Sequence, residues 1–352
     1  MKNESVLIGM SGGVDSSVAA HLLQEAGYHC TGCTMKLWCG NAEENTRDAE
    51  AVARRMGIPF QVFDLQDAFH NKVIDNFIGT YEGGMTPNPC IQCNRHLKFG
   101  AMLELALNAG FDRIATGHYA RVRQDPETGR YLLYKAADKS KDQTYFLFCL
   151  TQHQLSHTIF PLGDLTKEEA RKIAEVQGFS TARKKDSQDI CFVPGGDYVA
   201  FMREYTQKDY PGGNYLDLSG AVLGRHQGAV CYTLGQRKGL GIALGAPAYV
   251  ISKDMEANTV TLGPNEALFH NILRAKDFNW IPFPALTEPI RVTAKIRHSQ
   301  HEQPATVYPE DNGIVRVEFD APQRAITPGQ AVVLYQDDLV VGGGTITEAY
   351  TL

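Results

Sequence analysis

Long apolar runs are missing from this 352-residue chain, and none approaches the ~20 residues a helix needs to cross a bilayer. A membrane-spanning helix is therefore not expected. No signal-peptide core follows Met1-Lys2-Asn3-Glu4 before the first strand-like run, so a cytoplasmic location is expected. Internal repeats and low-complexity tracts are absent as well. Net positive charge is lacking: the formal charge is −6, which argues weakly against nucleic-acid binding. Eight cysteines in a large chain of this compartment are not expected to form a disulfide framework, so each is judged as core, metal or catalytic. At this length two or three domains can each bury a core.

The segment Gly9-Met10-Ser11-Gly12-Gly13-Val14-Asp15-Ser16-Ser17 follows the apolar run Val6-Leu7-Ile8 and opens a helical pattern through Val18, Ala19, Leu22 and Leu23. Strand, glycine turn and helix N-terminus together present backbone N–H groups and a positive dipole end to an anion. Gly12 and Gly13 leave room for a phosphate, and Ser11, Ser16 and Ser17 offer hydroxyls. Asp15 would repel a phosphate without a cation between them, so it is read as a magnesium-facing carboxylate. The loop has no Walker A lysine, which speaks against kinase-like transfer of a γ-phosphate. It resembles the pyrophosphate loop of the PP-loop ATP pyrophosphatases, which adenylate a substrate and release pyrophosphate.

Strand signals at Val6–Gly9, Cys30–Lys36, Gln61–Asp64 and Arg113–Gly117 alternate with helical ones at Ser16–Ala26, Glu43–Met56, Gln66–Tyr81 and Arg95–Ala109. Gly27, Gly57 and Gly110 stand where helix C-caps want glycine. This alternation predicts an α/β domain, a parallel sheet with helices on both faces and its ligand at the strand C-termini. Pro126–Gly129 predicts a turn between extended segments, Asp142–Leu155 a buried helix start, and Thr166 with Glu169 a capping box. Beyond residue 195 the texture changes to short glycine-broken strands: Gly228–Thr233, Ala248–Ser252, Thr259–Gly263, Arg291–Ile296, Ala305–Tyr308, Gly313–Phe319 and Ala331–Tyr335. The expected division is 1–195, a nucleotide-binding catalytic domain; 196–270, a small central β-rich domain; and 271–352, a β-barrel. Between Arg121 and Lys141 six Lys or Arg face three Asp or Glu, and Arg183-Lys184-Lys185 is a second basic run. Each is a solvated loop or a local RNA-binding surface.

Two cysteine segments carry chemistry. In Thr86-Pro87-Asn88-Pro89-Cys90-Ile91-Gln92-Cys93-Asn94, Asn94 can cap a following helix, which would put Cys93 at a helix N-terminus and favour its thiolate. A zinc site is the alternative, but the second Cys-x-x-Cys, Cys30 and Cys33, lies in a predicted strand where the side chains diverge. Cys191, in Ser187-Gln188-Asp189-Ile190-Cys191-Phe192, follows the basic run Arg183-Lys184-Lys185, which would also stabilise a thiolate.

With these segments stand Lys98-Phe99, Ala115-Thr116-Gly117-His118-Tyr119-Ala120-Arg121, Lys141-Asp142-Gln143-Thr144-Tyr145, Lys185-Asp186-Ser187, Thr233-Leu234-Gly235-Gln236-Arg237-Lys238-Gly239 and Thr327-Pro328-Gly329-Gln330. In that order, over nearly the whole chain, they resemble the bacterial tRNA 2-thiouridylases. The resemblance implies an adenine-nucleotide-hydrolase-like first domain, with ATP and magnesium at Gly9, Met10, Ser11, Gly12, Gly13, Val14, Asp15, Ser16, Met35 and Gly117. It implies adenylation of the wobble uridine, a persulfide on Cys191, and attack by Cys93 that forms a disulfide with Cys191 and frees the thiolated base. It implies tRNA contacts at Asn88, Pro89, Cys90, His118, Lys141, Asp142, Gln143, Arg297, His298 and Gln330. Its partners are tRNAs of the Glu, Gln and Lys type and an upstream persulfide donor, a cysteine desulfurase or a relay protein. Position 90 is Asp in some members and Cys here, so Cys90, Cys93 and Cys191 could instead hold an iron–sulfur cluster. A different PP-loop ligase, which would not need the two cysteines, and a non-catalytic tRNA- or nucleotide-binding protein are the competing readings.

Overall fold

The computed structural model describes residues 4–38, 42–179, 182 and 190–351. The basic run at 183–185 and residues 186–189 lie outside them.

The first strand β1 (Ser5–Gly9) is fully apolar at Val6, Leu7 and Ile8, as a strand covered on both faces must be. It leads through the glycine turn into helix α1 (Val14–Glu25). Strand β2 (His29–Lys36), helix α2 (Ala42–Met56) and strand β3 (Phe60–Asp64) follow, and β4 (Arg113–Thr116) arrives after a long helical excursion. The strands pair in parallel in the order β3-β2-β1-β4, with Thr158–Ile159 beyond β4. Strand order reverses between β1 and β4, so the crevice at their C-terminal ends is where such a sheet takes a ligand. Ser11 and Gly117 stand there. Gly27, Gly57 and Gly110 adopt φ of 82°, 69° and 86° at the ends of three helices, as their placement predicted.

Several elements differ from expectation. The helix expected over Gln66–Tyr81 exists, but its middle, His70–Ile74, is a wide π-type turn; so is Asn94–Ala101 in the next helical stretch. Asp142–Leu155 is two short helices, Thr144–Leu147 and Gln152–Ser156, because Thr151 and Gln154 form a capping box that starts a new helix there. Gly228–Thr233 holds a 3₁₀ turn at Ala229–Cys231 instead of a strand. The central sheet is built from Gly213–Leu216, Val222–His226, Tyr249–Asp254 and Thr259–Gly263. The final sheet closes on itself: Phe269–Trp280 pairs with both Val315–Arg324 and Leu339–Tyr350, which makes a barrel.

The hairpin Ala120–Gln124/Tyr131–Lys135 leaves the first domain and joins the barrel edge through Tyr134 and Leu339. One apolar core then runs through both bodies. It contains Leu7, Phe99, Ile114, Tyr145 and Phe148 on one side and Ile281, Ala331, Val333, Tyr335 and Val340 on the other. Three cations of the basic stretch Arg121–Lys141 serve this junction. Lys135 pairs with Glu302 at 2.6 Å, Arg121 with Asp338 at 3.0 Å, and Arg130 donates to the Ile281 carbonyl at 2.8 Å.

Helix Lys167–Val176 starts with the expected capping box: Thr166 Oγ1 accepts from Glu169 N at 3.2 Å, and Glu169 Oε2 accepts from Thr166 N at 2.7 Å. Thr166→Ala removes one half of it and is expected to lower unfolding stability by about 1 kcal/mol, read from urea denaturation.

Candidate active site

The loop after β1 is ordered by its own serines. Ser16 Oγ accepts from Ser11 N at 3.1 Å, and Ser17 Oγ donates to the Gly13 carbonyl at 2.8 Å. The N-cap is Gly13, which has no side chain to cap α1, so its first turn is suited to an anion. Gly117, directly after β4, abuts this turn: a Cβ there would come within 2.6 Å of Ser16 N. Gly9 ends β1, Met10 N donates to the Cys33 carbonyl at 2.7 Å, Gly12 adopts φ 68°, and Val14 begins α1. Met35 stands near the C-terminal end of β2, half-buried. The residues expected at the nucleotide thus gather at the strand ends.

Asp15 has partners that the sequence did not disclose. Its carboxylate accepts from Lys167 Nζ at 2.8 and 2.9 Å and from the Tyr119 hydroxyl at 2.9 Å. Lys167, 10% exposed at its side chain, comes from a helix 152 residues away, which has brought a cation to the rim of an anion-binding turn. A lysine at the first position of a capped helix is an ordinary surface residue to a sequence reader.

Cys90 and Cys93 lie on a separate helical segment. Their helix starts at Pro89, with Asn88 in the cap position but making no side-chain cap bond. Pro89–Cys93 runs without a break into the π-turns of Asn94–Ala101. The expectation that Asn94 caps a helix over Arg95–Ala109, with Cys93 at its N-terminus, is therefore overturned. Cys93 sits inside a continuous helix, and Asn94 Nδ2 donates to the Phe146 carbonyl at 3.0 Å. The expected low thiol pKa is overturned with it. Burial pushes Cys93 up to about 11, and it pushes Cys90 and Cys191 up from the ordinary thiol value.

The three thiols nevertheless share one neighbourhood. Cys93 is raised further by Cys191 and Cys90, and Cys191 by Cys90, so these charges feel one another. Phe192 places Cys191 there. It packs edge-on against Phe69 and Phe77, in the apolar cluster that also holds Cys93 and Leu97. Cys90 and Cys191 are exposed as residues although their sulfurs are crowded enough to be raised, and Cys93 is buried. Cys30 and Cys33 diverge into different cores, as their strand position required. Among the described residues no three His, Cys, Asp or Glu side chains close into a metal-ligand set, so Cys90, Cys93 and Cys191 as placed do not form one.

Lys98 is the group that opposes burial at all three thiols. Sequence reading placed it in a motif but gave it no role. The reason is the π-turn: its N–H(i)→O(i−5) pattern, seen between Met102 and Leu97, superposes residues five apart. That spacing turns Lys98 toward the Cys93 side of the helix, where α-helical spacing would have set it aside, and its charge acts on the thiol. Wide turns of this kind recur at functional sites.

The remaining expected tRNA contacts are dispersed in their present roles. His118 stands beside Lys98; burial and that cation push its pKa well below the ordinary value, and its Nδ1 is 2.7 Å from Thr116 Oγ1. Asp142 is buried and accepts from Ala136 N at 3.0 Å and Thr144 Oγ1 at 2.6 Å. Gln143 Oε1 accepts from Tyr119 N at 2.9 Å, and Lys141 is half-buried. Arg297 donates to the Arg324 carbonyl, His298 tilts over the Phe146 ring at 4.5 Å, and Gln330 donates to the Thr86 and Pro87 carbonyls at 3.1 and 3.0 Å.

Because Cys93 is held protonated, its alkylation by iodoacetamide is expected to keep rising with pH past 9, without a plateau. Lys98→Met removes the stabilising cation and should slow it further at every pH below 10; peptide mass mapping follows the rate.

Residues 4–195 match the family described as tRNA methyl transferase HUP domain, 199–264 that described as tRNA methyl transferase PRC-barrel domain, and 270–346 that described as Aminomethyltransferase beta-barrel domain. Three curated relatives carry the name tRNA-specific 2-thiouridylase MnmA. The protein of Acetivibrio thermocellus is 49% identical over 98% of this chain and 100% of its own. That of Clostridioides difficile is 48% identical over 99% of each, and that of Moorella thermoacetica 50% identical over 97% of this chain and 98% of its own.

Proposed function

Because this chain belongs to the tRNA-specific 2-thiouridylase family of those relatives, we propose that it is a tRNA sulfurtransferase that uses ATP to replace the 2-oxygen of the wobble uridine with sulfur. The observation that carries the reading is the meeting of the Cys93 and Cys191 segments, 98 residues apart in sequence, at one apolar cluster, in a chain that also carries a glycine turn leading into a helix N-terminus after β1. Other PP-loop ligases need the loop but not the thiols.

The N–H groups of α1 and the hydroxyls of Ser11 and Ser16 hold the phosphates of ATP, with Gly117 and Met35 beside the nucleotide. Asp15 is the carboxylate that would hold nucleotide-borne magnesium, whose charge shields the phosphates. Lys167, ion-paired to Asp15 at 2.8 Å, supplies a second positive charge at the same turn. Uridine O2 attacks the α-phosphate and pyrophosphate leaves; the poor leaving oxygen becomes AMP.

A donor protein loads Cys191 with a sulfane sulfur, for which its exposure suits it. The terminal sulfur attacks C2 and AMP departs. Cys93, as thiolate, then attacks the sulfur of Cys191, the bond to the transferred sulfur breaks, and the thiolated base and a Cys93–Cys191 disulfide result. A dithiol reductant restores the two thiols. Lys98 stabilises whichever sulfur carries the charge at each step. Asn88, Pro89, Cys90 and His118 border the flipped base, while Lys141, Asp142, Gln143, Arg297, His298 and Gln330 lie toward the RNA. The tRNAs are those of the Glu, Gln and Lys type, the donor is a cysteine desulfurase or a relay protein, and the reaction is cytoplasmic.

Cys93→Ser and Cys191→Ser should each reduce 2-thiouridine formation at least a hundredfold while ATP still binds. Nucleoside mass spectrometry after incubation with ATP, magnesium and a persulfide source measures it; near-normal product from either variant overturns the scheme. Transfer-RNA affinity should also fall steeply between low and moderate salt as phosphate contacts release counterions, and salt-independent binding would contradict an RNA substrate.

A further inference from the structure

Gln330, His298 and Gly329 belong to the barrel, yet all three bear on the cysteine helix. Gln330 Nε2 donates to the carbonyls of Thr86 and Pro87, two consecutive residues of the segment leading into Pro89–Cys93. Thr86 N donates to the Pro328 carbonyl at 2.9 Å. Gly329, at φ 89°, lies so close that a Cβ would come within 2.7 Å of the Thr86 carbonyl and 2.9 Å of Met85 Cβ. That is the entry to the helix. At its far side the His298 ring packs on Phe146 at 4.5 Å, and the Phe146 carbonyl accepts from Asn94, the neighbour of Cys93.

We propose that the barrel clamps the cysteine helix from both sides, with Gln330 and His298 as positioning residues that hold Cys93 buried until RNA engages them. This rests on the thiolation reading above and adds a control step to it. The chemistry needs such a control. Once Cys191 carries a persulfide, the Cys93 thiolate can attack its inner sulfur directly. The S–S bond to the outer sulfur then breaks, a Cys93–Cys191 disulfide forms, and the sulfane sulfur leaves as hydrosulfide. No outside oxidant is needed, and the sulfur is lost before any base receives it. Holding Cys93 inside the apolar cluster of Phe69, Phe77 and Phe192 delays this reaction.

A second observation says that the clamped helix is poised to move. Asn94 is 2% exposed, and its Oδ1 has no hydrogen-bond partner among the described residues. A buried acceptor left unpaired is costly, and a shift of the helix would relieve it. One barrel side chain ties the segment that leads into the helix and the other packs on Phe146, whose carbonyl holds Asn94, so the two are placed to release it together.

The test uses the full-length protein without RNA. Iodoacetamide alkylation of each cysteine is followed by peptide mass, with Cys30 and Cys33 as internal references. Gln330→Met keeps the side-chain length and removes both donors; His298→Ala is the second variant. In each, Cys93 should react roughly fivefold faster while Cys30 and Cys33 keep their rates. Unmodified glutamate tRNA added to the wild-type protein should raise the Cys93 rate likewise. Persulfide-loaded Gln330→Met should release hydrosulfide without tRNA faster than the wild type. An unchanged Cys93 rate in both variants overturns the clamp, as does a rise shared by Cys33, which would mean general loosening. An unchanged rate with tRNA overturns release by RNA. If the wild-type protein makes no 2-thiouridine, the thiolation reading fails, and the alkylation rates still decide the clamp.

Discussion

The apolar core common to the parallel sheet and the barrel is the constraint on which the rest depends. Leu7, Phe99, Tyr145 and Phe148 from one body meet Ile281, Val333, Tyr335 and Val340 from the other in one buried cluster. Burial of that surface is non-directional, so it fixes proximity without fixing register. Register comes from the polar ties at its margin. The Tyr145 hydroxyl donates to the Ala331 carbonyl at 2.9 Å, Asn279 Nδ2 to the Phe148 and Leu150 carbonyls, and Lys135 meets Glu302. Ile91 of the cysteine helix belongs to the same core. The position of Cys90 and Cys93 is thus set by two bodies at once.

Two lysines divide the electrostatic work. Lys167 stands at the turn where phosphates would lie, neutralised for the present by Asp15. Lys98 stands near the thiols and opposes the burial that keeps them protonated. A sulfur carrier has conflicting needs: its thiolate must be reachable for attack, yet quiet while a persulfide is loaded. A buried thiol with one nearby cation answers both. It is unreactive in the closed helix, and a modest loss of burial lets the cation dominate. Exposure follows the same division, since Cys191 and Cys90 face solvent while Cys93 does not.

Much of the first domain was legible because its signals are local. The alternation of strand and helix, the glycine turn after Ile8, the C-cap glycines and the Thr166–Glu169 box all depend on residues a few positions apart. The closing strands Phe269–Trp280 and Leu339–Tyr350 were harder to read. Each turns several exposed or polar residues outward and bends through register shifts, which blurs the two-residue period. The role of the basic stretch Arg121–Lys141 was not legible either. Its charges fit a solvated loop or an RNA surface alike, and Asp338, Glu302 and the Ile281 carbonyl, which hold three of them, are far away in sequence.

By itself the sequence determined which chemistry is available: an anion-binding turn, two reactive sulfurs, and an order of motifs that matches one family from end to end. Those are properties of residue type and short-range spacing. Tertiary structure alone decided the state of those groups. The thiol at Cys93 is protonated because packing buries it, not thiolate as a helix N-terminus would make it. Lys98 acts on it because the helix widens, and Lys167 reaches Asp15 across 152 residues. Gln330 holds Thr86 and Pro87 from a barrel 243 residues downstream of Pro87. Burial and long-range contact depend on which distant surfaces the folded chain brings together, and no local pattern carries that information.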